Sequence, residues 1–166
     1  KKIIRNIKLY NFALSNVNGE TKLKLPFRSK SFFKNNIEEL YQLGAASIHS
    51  NNKFDNFKEV VVEMKKLDNI KFNNKIGFIK IDVEGHELEV IEGAKNTIVK
   101  NMPVLLIEIE KRHTKEPVEN SINHIKKIGY ECFFLMNKEL ILVDKLQDKK
   151  LENNYYFLPK KFKKDL

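Results

Sequence analysis

The spacing of apolar residues changes twice between residues 76 and 110. Residues 78–83 are mostly apolar and include β-branched side chains, which is typical of a strand covered on both faces in a parallel sheet. After Pro103, residues 104–109 form a second apolar run of strand length. Between the two runs the apolar positions take helical spacing, at Leu88, Ile91, Ala94 and Ile98. The pattern predicts a strand, a turn, a helix and a second strand, which together make a βαβ unit.

Acidic residues lie at the carboxyl end of both predicted strands. Asp82 and Glu84 follow the first strand, and Glu108 and Glu110 close the second. Ligands of open parallel sheets bind beside the carboxyl ends of the strands, so this edge is the candidate site. Glu84 and Glu87 have an alternative interpretation, because acids in the first turn of a helix also stabilise the positive end of its dipole. Asp82 has no such explanation and needs a capping bond, a partner or a metal.

The amino-terminal region predicts a β-hairpin. Residues 7–14 and 21–25 have strand patterns, and Asn18 and Gly19 between them form a dipeptide that favours a hairpin turn. The β-branched stretch within residues 57–64 predicts an inserted strand that pairs with this hairpin.

The remaining segments are patterned to different degrees. Residues 26–56 have a weak pattern that predicts a long loop with a short helix at 37–43, and such loops are often binding segments. The apolar stripe after Pro117 predicts a helix that ends at Gly129. Three closing strands are predicted at residues 130–136, 139–143 and 155–158, the first two as a hairpin.

Length and charge limit the classes of protein. A chain of 166 residues can bury one sizeable core, so we expect a single domain over residues 1–166. The formal charge is +9, but among the basic residues only Arg5, Arg28 and Arg112 are arginine, the residue best suited to phosphate recognition. We therefore expect no specific nucleic-acid partner. Lysines crowd residues 159–166, which predicts a solvated basic tail.

The sequence shows neither a membrane span nor a secretion signal. It has no apolar run of about 18 residues and no apolar signal-peptide core near its start. Cys132, its only cysteine, lies in an apolar and aromatic run, which is typical of a buried thiol in a reducing compartment. A cytoplasmic location is the resulting expectation.

Several stretches resemble one protein family. The run IKIDVEGHELEVIEGA (79–94), followed by PVLLIEIE (103–110), is similar to the later half of the FkbM-type S-adenosylmethionine-dependent methyltransferases. LYNFALSNVNGETKL (9–23) resembles the adenine-side strand and hairpin of that family, GAASIHS (44–50) its small-residue loop, and NNYYFLP (153–159) its closing strand. The resemblance covers most of the chain and depends on an ordered run of acids and glycines.

The resemblance implies an α/β fold with a Rossmann-like methyltransferase sheet. That sheet would be mostly parallel, with an antiparallel carboxyl-terminal hairpin and an inserted β-hairpin. The strand ending at Asp82 would be its fourth strand, and the strand ending at Glu108 its fifth. S-adenosylmethionine is the implied cofactor, and Ala13, Leu14 and Ser15 are the implied cofactor-binding residues near the adenine.

The resemblance also implies O-methylation of a small-molecule or saccharide hydroxyl. Asp82, Glu84 and His86 are the catalytic candidates, because methyl transfer to oxygen needs a base for the hydroxyl proton. Glu108 and Glu110 are the substrate-side candidates. A metal is not part of this expectation, and Mg²⁺ held by the clustered oxygens is an alternative that the sequence does not favour.

One part of a complete family member is missing from the sequence. The six glycines include no G-x-G pair, so the glycine-rich cofactor turn is absent, and the chain begins with Lys1. We therefore expect residues 1–166 to be the carboxyl-terminal part of a methyltransferase domain, with a homodimer as one way to supply the remainder. The alternative is a truncated, non-catalytic Rossmann-like module that uses its basic surface to bind an anionic partner.

Overall fold

The structure is a computed structural model that describes residues 7–33, 36–49, 55–113, 117–143 and 153–161. The strands are β1 (Phe12–Leu14), β2 (Gly19–Phe33), β3 (Asn36–Tyr41), β4 (Phe57–Lys65), β5 (Phe78–Ile81), β6 (Val104–Glu108), β7 (Tyr130–Met136), β8 (Glu139–Leu142) and β9 (Asn154–Pro159). The helices are α1 (Glu87–Gly93), α2 (Lys95–Asn101) and α3 (Val118–Lys127). Short 3₁₀ turns cover Leu43–Ala45 and Leu67–Asn69.

The first sheet has four strands in the order β1-β4-β2-β3. β1 lies parallel to β4, and β2 lies antiparallel to both β4 and β3. The predicted hairpin between the strands at 7–14 and 21–25 is therefore wrong, because β4 separates β1 from β2. Asn18 has a different role from the predicted hairpin turn. Its side-chain oxygen accepts a hydrogen bond from the backbone N–H of Lys66 at 3.0 Å, which fixes the chain beside the end of β4.

The weakly patterned segment is more regular than the sequence predicts. β2 continues to Phe33 and pairs with β3, where a loop and a short helix are predicted. Pairing with a neighbouring strand overrides a weak local preference, which explains the difference. No hairpin joins the predicted strands at 7–14 and 21–25, both of which the structure describes, and β2 pairs antiparallel with β3 and β4 instead.

The second sheet has five strands in the order β5-β6-β9-β7-β8. β5 and β6 are parallel, whereas β9 is antiparallel to both β6 and β7, so β5, β6 and β7 run in one direction. β7 and β8 form the predicted antiparallel hairpin. Both sheets are mixed, and five of the seven strand pairs in the described residues are antiparallel. The expectation of a mostly parallel sheet is wrong, because β9 lies between β6 and β7 and runs antiparallel to both.

The βαβ unit is present, but its helix is divided in two. α1 ends at Gly93, and α2 begins after Ala94, whose φ of −111° and ψ of 4° interrupt the helix. α3 agrees with its prediction, since it follows Pro117 and is closed by Gly129 with a φ of +107°. These helices pack the apolar positions of the periodic pattern against the second sheet.

The hydrophobic core belongs to the second sheet and its helices. Its buried residues begin at Ile81 and end at Phe157, while Leu14 and Leu67 pack against it from outside. Cys132 is fully buried and has no disulfide, and burial raises the pKa of its thiol to about 12, as expected for an inert buried cysteine. The second sheet is therefore the rigid base on which the candidate site is built.

Candidate functional site

Two pairs of acids meet at one edge of the second sheet. β5 and β6 are parallel and in register, so their carboxyl ends lie side by side. Asp82 and Glu84 follow β5, while Glu108 ends β6 and Glu110 follows it. We call these four residues the acidic edge. The structure brings together the acids that the sequence placed there, and their chemical roles stay a prediction.

Asp82 and Glu84 have different environments. The side chain of Asp82 is 36% exposed, and its Oδ2 lies 2.5 Å from Nζ of Lys80, two residues earlier on the same face of the strand. The side chain of Glu84 is only 15% exposed. Its φ of +53° lies in the left-handed region, which is uncommon for residues other than glycine and often marks a functional position. Glu84, rather than Asp82, is the inner carboxylate of the pair.

Arg112 and His113, which we call the basic clamp, hold two carboxylates of the acidic edge. Nε2 of His113 lies 2.7 Å from Oε2 of Glu84 and 3.5 Å from Oε2 of Glu110. Nη2 of Arg112 lies 3.5 Å from Oε2 of Glu84, and its Nε donates to Glu110. Nδ2 of Asn153 donates to Oε1 of Glu110 at 3.0 Å. These side chains lie against both carboxylates, and the positive charge of Arg112 offsets the repulsion between them.

The pKa of Glu108 lies above the ordinary value of its carboxyl group. Desolvation is the largest cause, followed by the charge of Asp82, a hydrogen bond with Glu110 and the charges of Glu110 and Glu84. A raised pKa favours the protonated carboxyl, which can donate a hydrogen bond to an oxygen atom of a ligand. Glu108 and its neighbours can therefore offer both donors and acceptors to hydroxyl groups.

Gly85 allows three segments to converge beside Glu84. Its φ is +99°, and a Cβ atom there would lie 2.9 Å from Cβ of His113 and 3.1 Å from Cδ2 of His49. Ser47 donates from Oγ to the carbonyl oxygen of Glu84 at 2.9 Å and accepts from the backbone N–H of His49 at 3.0 Å. Only glycine fits both the backbone angle and the available space, so the turn depends on it.

Glu87 is a buried acid in the first turn of α1. Its Oε1 accepts a hydrogen bond from the backbone N–H of Gly85 at 2.9 Å. Burial raises the pKa of Glu87, while backbone hydrogen bonds and the charge of His113 act in the opposite direction. Glu87 therefore stabilises the turn at Gly85 from the buried side. An interaction of an exposed acid with the helix dipole would not explain this hydrogen bond or this burial.

The cofactor-side candidates lie at the end of β1. Ala13 and Leu14 are the last two residues of the strand, and Leu14 packs against the core. Ser15 is buried, and its Oγ lies 2.9 Å from Nε2 of His86. The structure thus places His86 beside a cofactor-side candidate, whereas Asp82 and Glu84 lie at the acidic edge.

Neither a metal site nor a membrane helix is found in the described parts of the chain. Within them, no group of three or more His, Cys, Asp and Glu side chains is arranged to hold a metal ion. No helix among the same residues is long and apolar enough to cross a membrane. Of the predicted basic tail, Lys160 and Lys161 are described and exposed, and residues 162–166 lie outside the described part.

Sequence reasoning missed the basic clamp. Arg112 and His113 follow Glu110 within three positions, in the loop that leaves the acidic edge. Loops that follow parallel strands lie at the same edge as the strand ends, so that position was an available signal. Ser47 and Asn153 lie in stretches that resemble the family, but nothing in those stretches marks either as a site residue, because only the folding of distant segments brings them to the site.

Comparison with known families gives a clear match. A sequence model of the Methyltransferase FkbM domain matches residues 2–135. The chain therefore belongs to the FkbM methyltransferase family. No curated protein matches the chain. The family match does not support the alternative of a non-catalytic binding module.

One similar solved structure is the crystal structure of methyltransferase FkbM from Methylobacillus flagellatus KT. The two chains are 23% identical over the matched part, with a TM-score of 0.42. The match covers 58% of this chain and 23% of that chain. The matched part of the chain thus spans less than a quarter of the length of that protein's chain.

Proposed function

We propose that this chain carries the acceptor edge of an S-adenosylmethionine-dependent methyltransferase that methylates a hydroxyl group of a small molecule or a saccharide. Family membership supports methyl transfer in general. The observation that favours an oxygen acceptor is the largely buried carboxylate of Glu84, held by His113 at 2.7 Å. A positioned carboxylate is the group that an acceptor hydroxyl needs.

Glu84 is the residue to which we assign the acceptor proton. An acceptor hydroxyl must lose its proton as its oxygen forms a bond to the methyl carbon, and a base within hydrogen-bond reach assists that step. The basic clamp fixes the orientation of Glu84 before the acceptor arrives, which reduces the entropy lost in reaching the reactive geometry. Glu108 and Glu110 lie beside it and suit further hydroxyl groups, so a polyhydroxylated acceptor is favoured.

The residues present fit the charged part of the cofactor. S-adenosylmethionine, when bound, supplies a methyl group carried on a positively charged sulfur. Asp82 and Glu84 would face this cation from the acidic edge, where Lys80, Arg112 and His113 offset part of their negative charge. Ala13, Leu14 and Ser15 would hold the adenine side, at the end of β1 in the first sheet.

Transfer of a labelled methyl group to a panel of hydroxyl acceptors, sugars included, tests this proposal. Glu84→Gln keeps the size of the side chain but removes the base, and we expect a loss of at least about a hundredfold in kcat. The matched control is Glu139→Gln, the same substitution at an exposed position on β8, and it should leave the rate unchanged. If the wild type transfers the methyl group and the Glu84→Gln variant transfers it equally fast, the assigned role of Glu84 is rejected. No transfer to any acceptor would reject the proposed function for this chain.

A further inference from the structure

One hydrogen bond joins the two sheets beside the candidate site. Ser15 follows β1 of the first sheet, and His86 precedes α1, which packs on the second sheet. Their Oγ and Nε2 atoms lie 2.9 Å apart although the residues are 71 positions apart in sequence. The proposed function and the acidic edge do not use this contact.

The surroundings of His86 determine which atom donates. Its Nδ1 lies 3.6 Å from Oε2 of Glu89, a carboxylate that favours a proton on Nδ1. Nε2 is then the acceptor, and the hydroxyl of Ser15 donates to it. The contact of the same hydroxyl with Oδ1 of Asn16 is longer, at 3.4 Å. The pKa of His86 is lowered mainly by burial. The charge of Glu89 raises this pKa and that of His49 lowers it, and the net shift favours the neutral ring.

The backbone of Ser15 is fixed at the same point. Its N–H donates to the carbonyl oxygen of Lys65 at 3.0 Å, which continues the pairing of β1 with β4. Its own carbonyl oxygen would lie 1.9 Å from a Cβ atom at position 93, so Gly93 allows α1 to approach the chain directly. Ser15 is thus held by hydrogen bonds of its amide and its hydroxyl, while its carbonyl group lies close to Gly93.

We propose that His86 is a positioning residue, whose hydrogen bond to Ser15 fixes the end of β1 against the turn that carries Glu84. His86 directly follows Gly85 in that turn, so a shift of its ring would move the inner carboxylate and the end of β1 relative to each other. The inference rests on the proposed function only in taking β1 as the cofactor side. It gives His86 a different role from that of a proton acceptor for the substrate.

Amide hydrogen exchange of the whole chain tests the contact without any ligand. Ser15→Ala and His86→Leu should each lower the protection factor of the amide at position 15 roughly tenfold, and the double variant should lower it no further than either single variant. His86→Gln keeps a polar side chain that can accept the hydroxyl proton, and it should restore part of the protection. His124→Leu removes a different contact of α1, that of His124 with Glu92 at 2.7 Å, and should leave the amide of Ser15 unchanged.

The imidazole nitrogen spectrum gives an independent readout. In the wild type at neutral pH we expect a protonated Nδ1 and an unprotonated Nε2 on His86, and Ser15→Ala should shift only the Nε2 resonance. Unchanged exchange at Ser15 in both single variants, additive effects in the double variant, or an unshifted Nε2 resonance would each overturn the proposal. A chain that passes these tests but binds no S-adenosylhomocysteine would instead count against the proposed function alone.

Discussion

The two sheets differ in what stabilises them. Among the residues whose burial the structure describes, those of the hydrophobic core lie in the second sheet, its helices or the adjoining segments between Ile81 and Phe157. In the first sheet, by contrast, the β-branched run of β4 leaves Val61 63% exposed. The strands of that sheet are joined by backbone pairing, and β1 and the 3₁₀ turn at Leu67–Asn69 contact α1 and α2. The acidic edge is built on the rigid side, while the cofactor-side candidates depend on contacts between the two sheets.

Truncation in the core has the largest expected effect. Phe157 is fully buried on β9, so Phe157→Ala should lower the free energy of unfolding by about 3–5 kcal/mol. Val61→Ala on β4 should change it by less than about 0.5 kcal/mol, since the side chain is mostly in solvent already. Chemical denaturation measures both values. Similar losses of unfolding free energy for the two variants would mean that the two sheets are packed equally well, which would contradict a core confined to the second sheet.

A smaller loss is expected where α1 meets the end of β1. Gly93→Ala places a Cβ atom where the carbonyl oxygen of Ser15 lies, so one of the two segments must move. We expect a cost of about 1–3 kcal/mol, even though alanine is the better helix former. Gly77→Ala is the matched control, because a Cβ atom there meets nothing within 4 Å. Thermal unfolding of both variants measures the difference in stability. A Gly93→Ala protein as stable as the wild type would show that the close approach of Gly93 to Ser15 is not needed.

Asp68 makes a third contact between the regions. Its two carboxylate oxygens accept the backbone N–H groups of Thr97 at 2.7 Å and Asn96 at 3.0 Å, at the start of α2. Removing such a cap costs about 0.5–2 kcal/mol, which is the loss in unfolding free energy expected for Asp68→Ala. Asp68→Asn retains one acceptor oxygen and should recover part of that loss in the same denaturation experiment. Equal losses for the alanine and asparagine variants would argue against capping.

The smallest effect has the opposite sign and concerns Glu87. Glu87→Gln keeps an oxygen for the N–H of Gly85 and removes a carboxylate that burial disfavours, so at pH 7 we expect a gain of about 0.5–1 kcal/mol. Burial raises the pKa of the folded state above the ordinary value of 4.5. The wild type therefore loses stability as pH rises through the raised pKa, and the gain from glutamine should vanish below pH 4.5.

Unfolding free energies across that pH range, with exposed Glu20→Gln as the control, measure the difference at Glu87. A gain that persists unchanged at low pH would show that ionisation of Glu87 is not its cause. Glu20 lies on β2, so the control also samples the first sheet.

Elements with a strong local pattern could be predicted from the sequence. The βαβ unit follows from the change of apolar spacing, and the limits of α3 follow from Pro117 and Gly129. The position of β9 between β6 and β7 could not be predicted, because strand order depends on contacts between distant segments. Asn18 illustrates the same point. Its dipeptide with Gly19 favours a hairpin turn, but in the structure its side chain instead accepts a hydrogen bond from the backbone N–H of Lys66, which lies 48 positions later in the sequence.

The candidate site was predictable in its location but not in its detail. Parallel strands share an edge, which is why Asp82, Glu84, Glu108 and Glu110 could be grouped. Their unequal exposure could not be read from the sequence, and Asp82, the stronger candidate there, is the outer residue of its pair. The contact of His113 with Glu84 arises only when the loop after β6 folds back over Gly85.

The central proposal is that the end of β1 and the acidic edge together form one methyltransferase site. Calorimetric titration of the chain with S-adenosylhomocysteine tests it most directly, because this stable product needs no acceptor. We expect micromolar binding that Ser15→Ala weakens and Glu139→Gln leaves unchanged. Absence of binding by a folded wild-type chain would contradict the proposal.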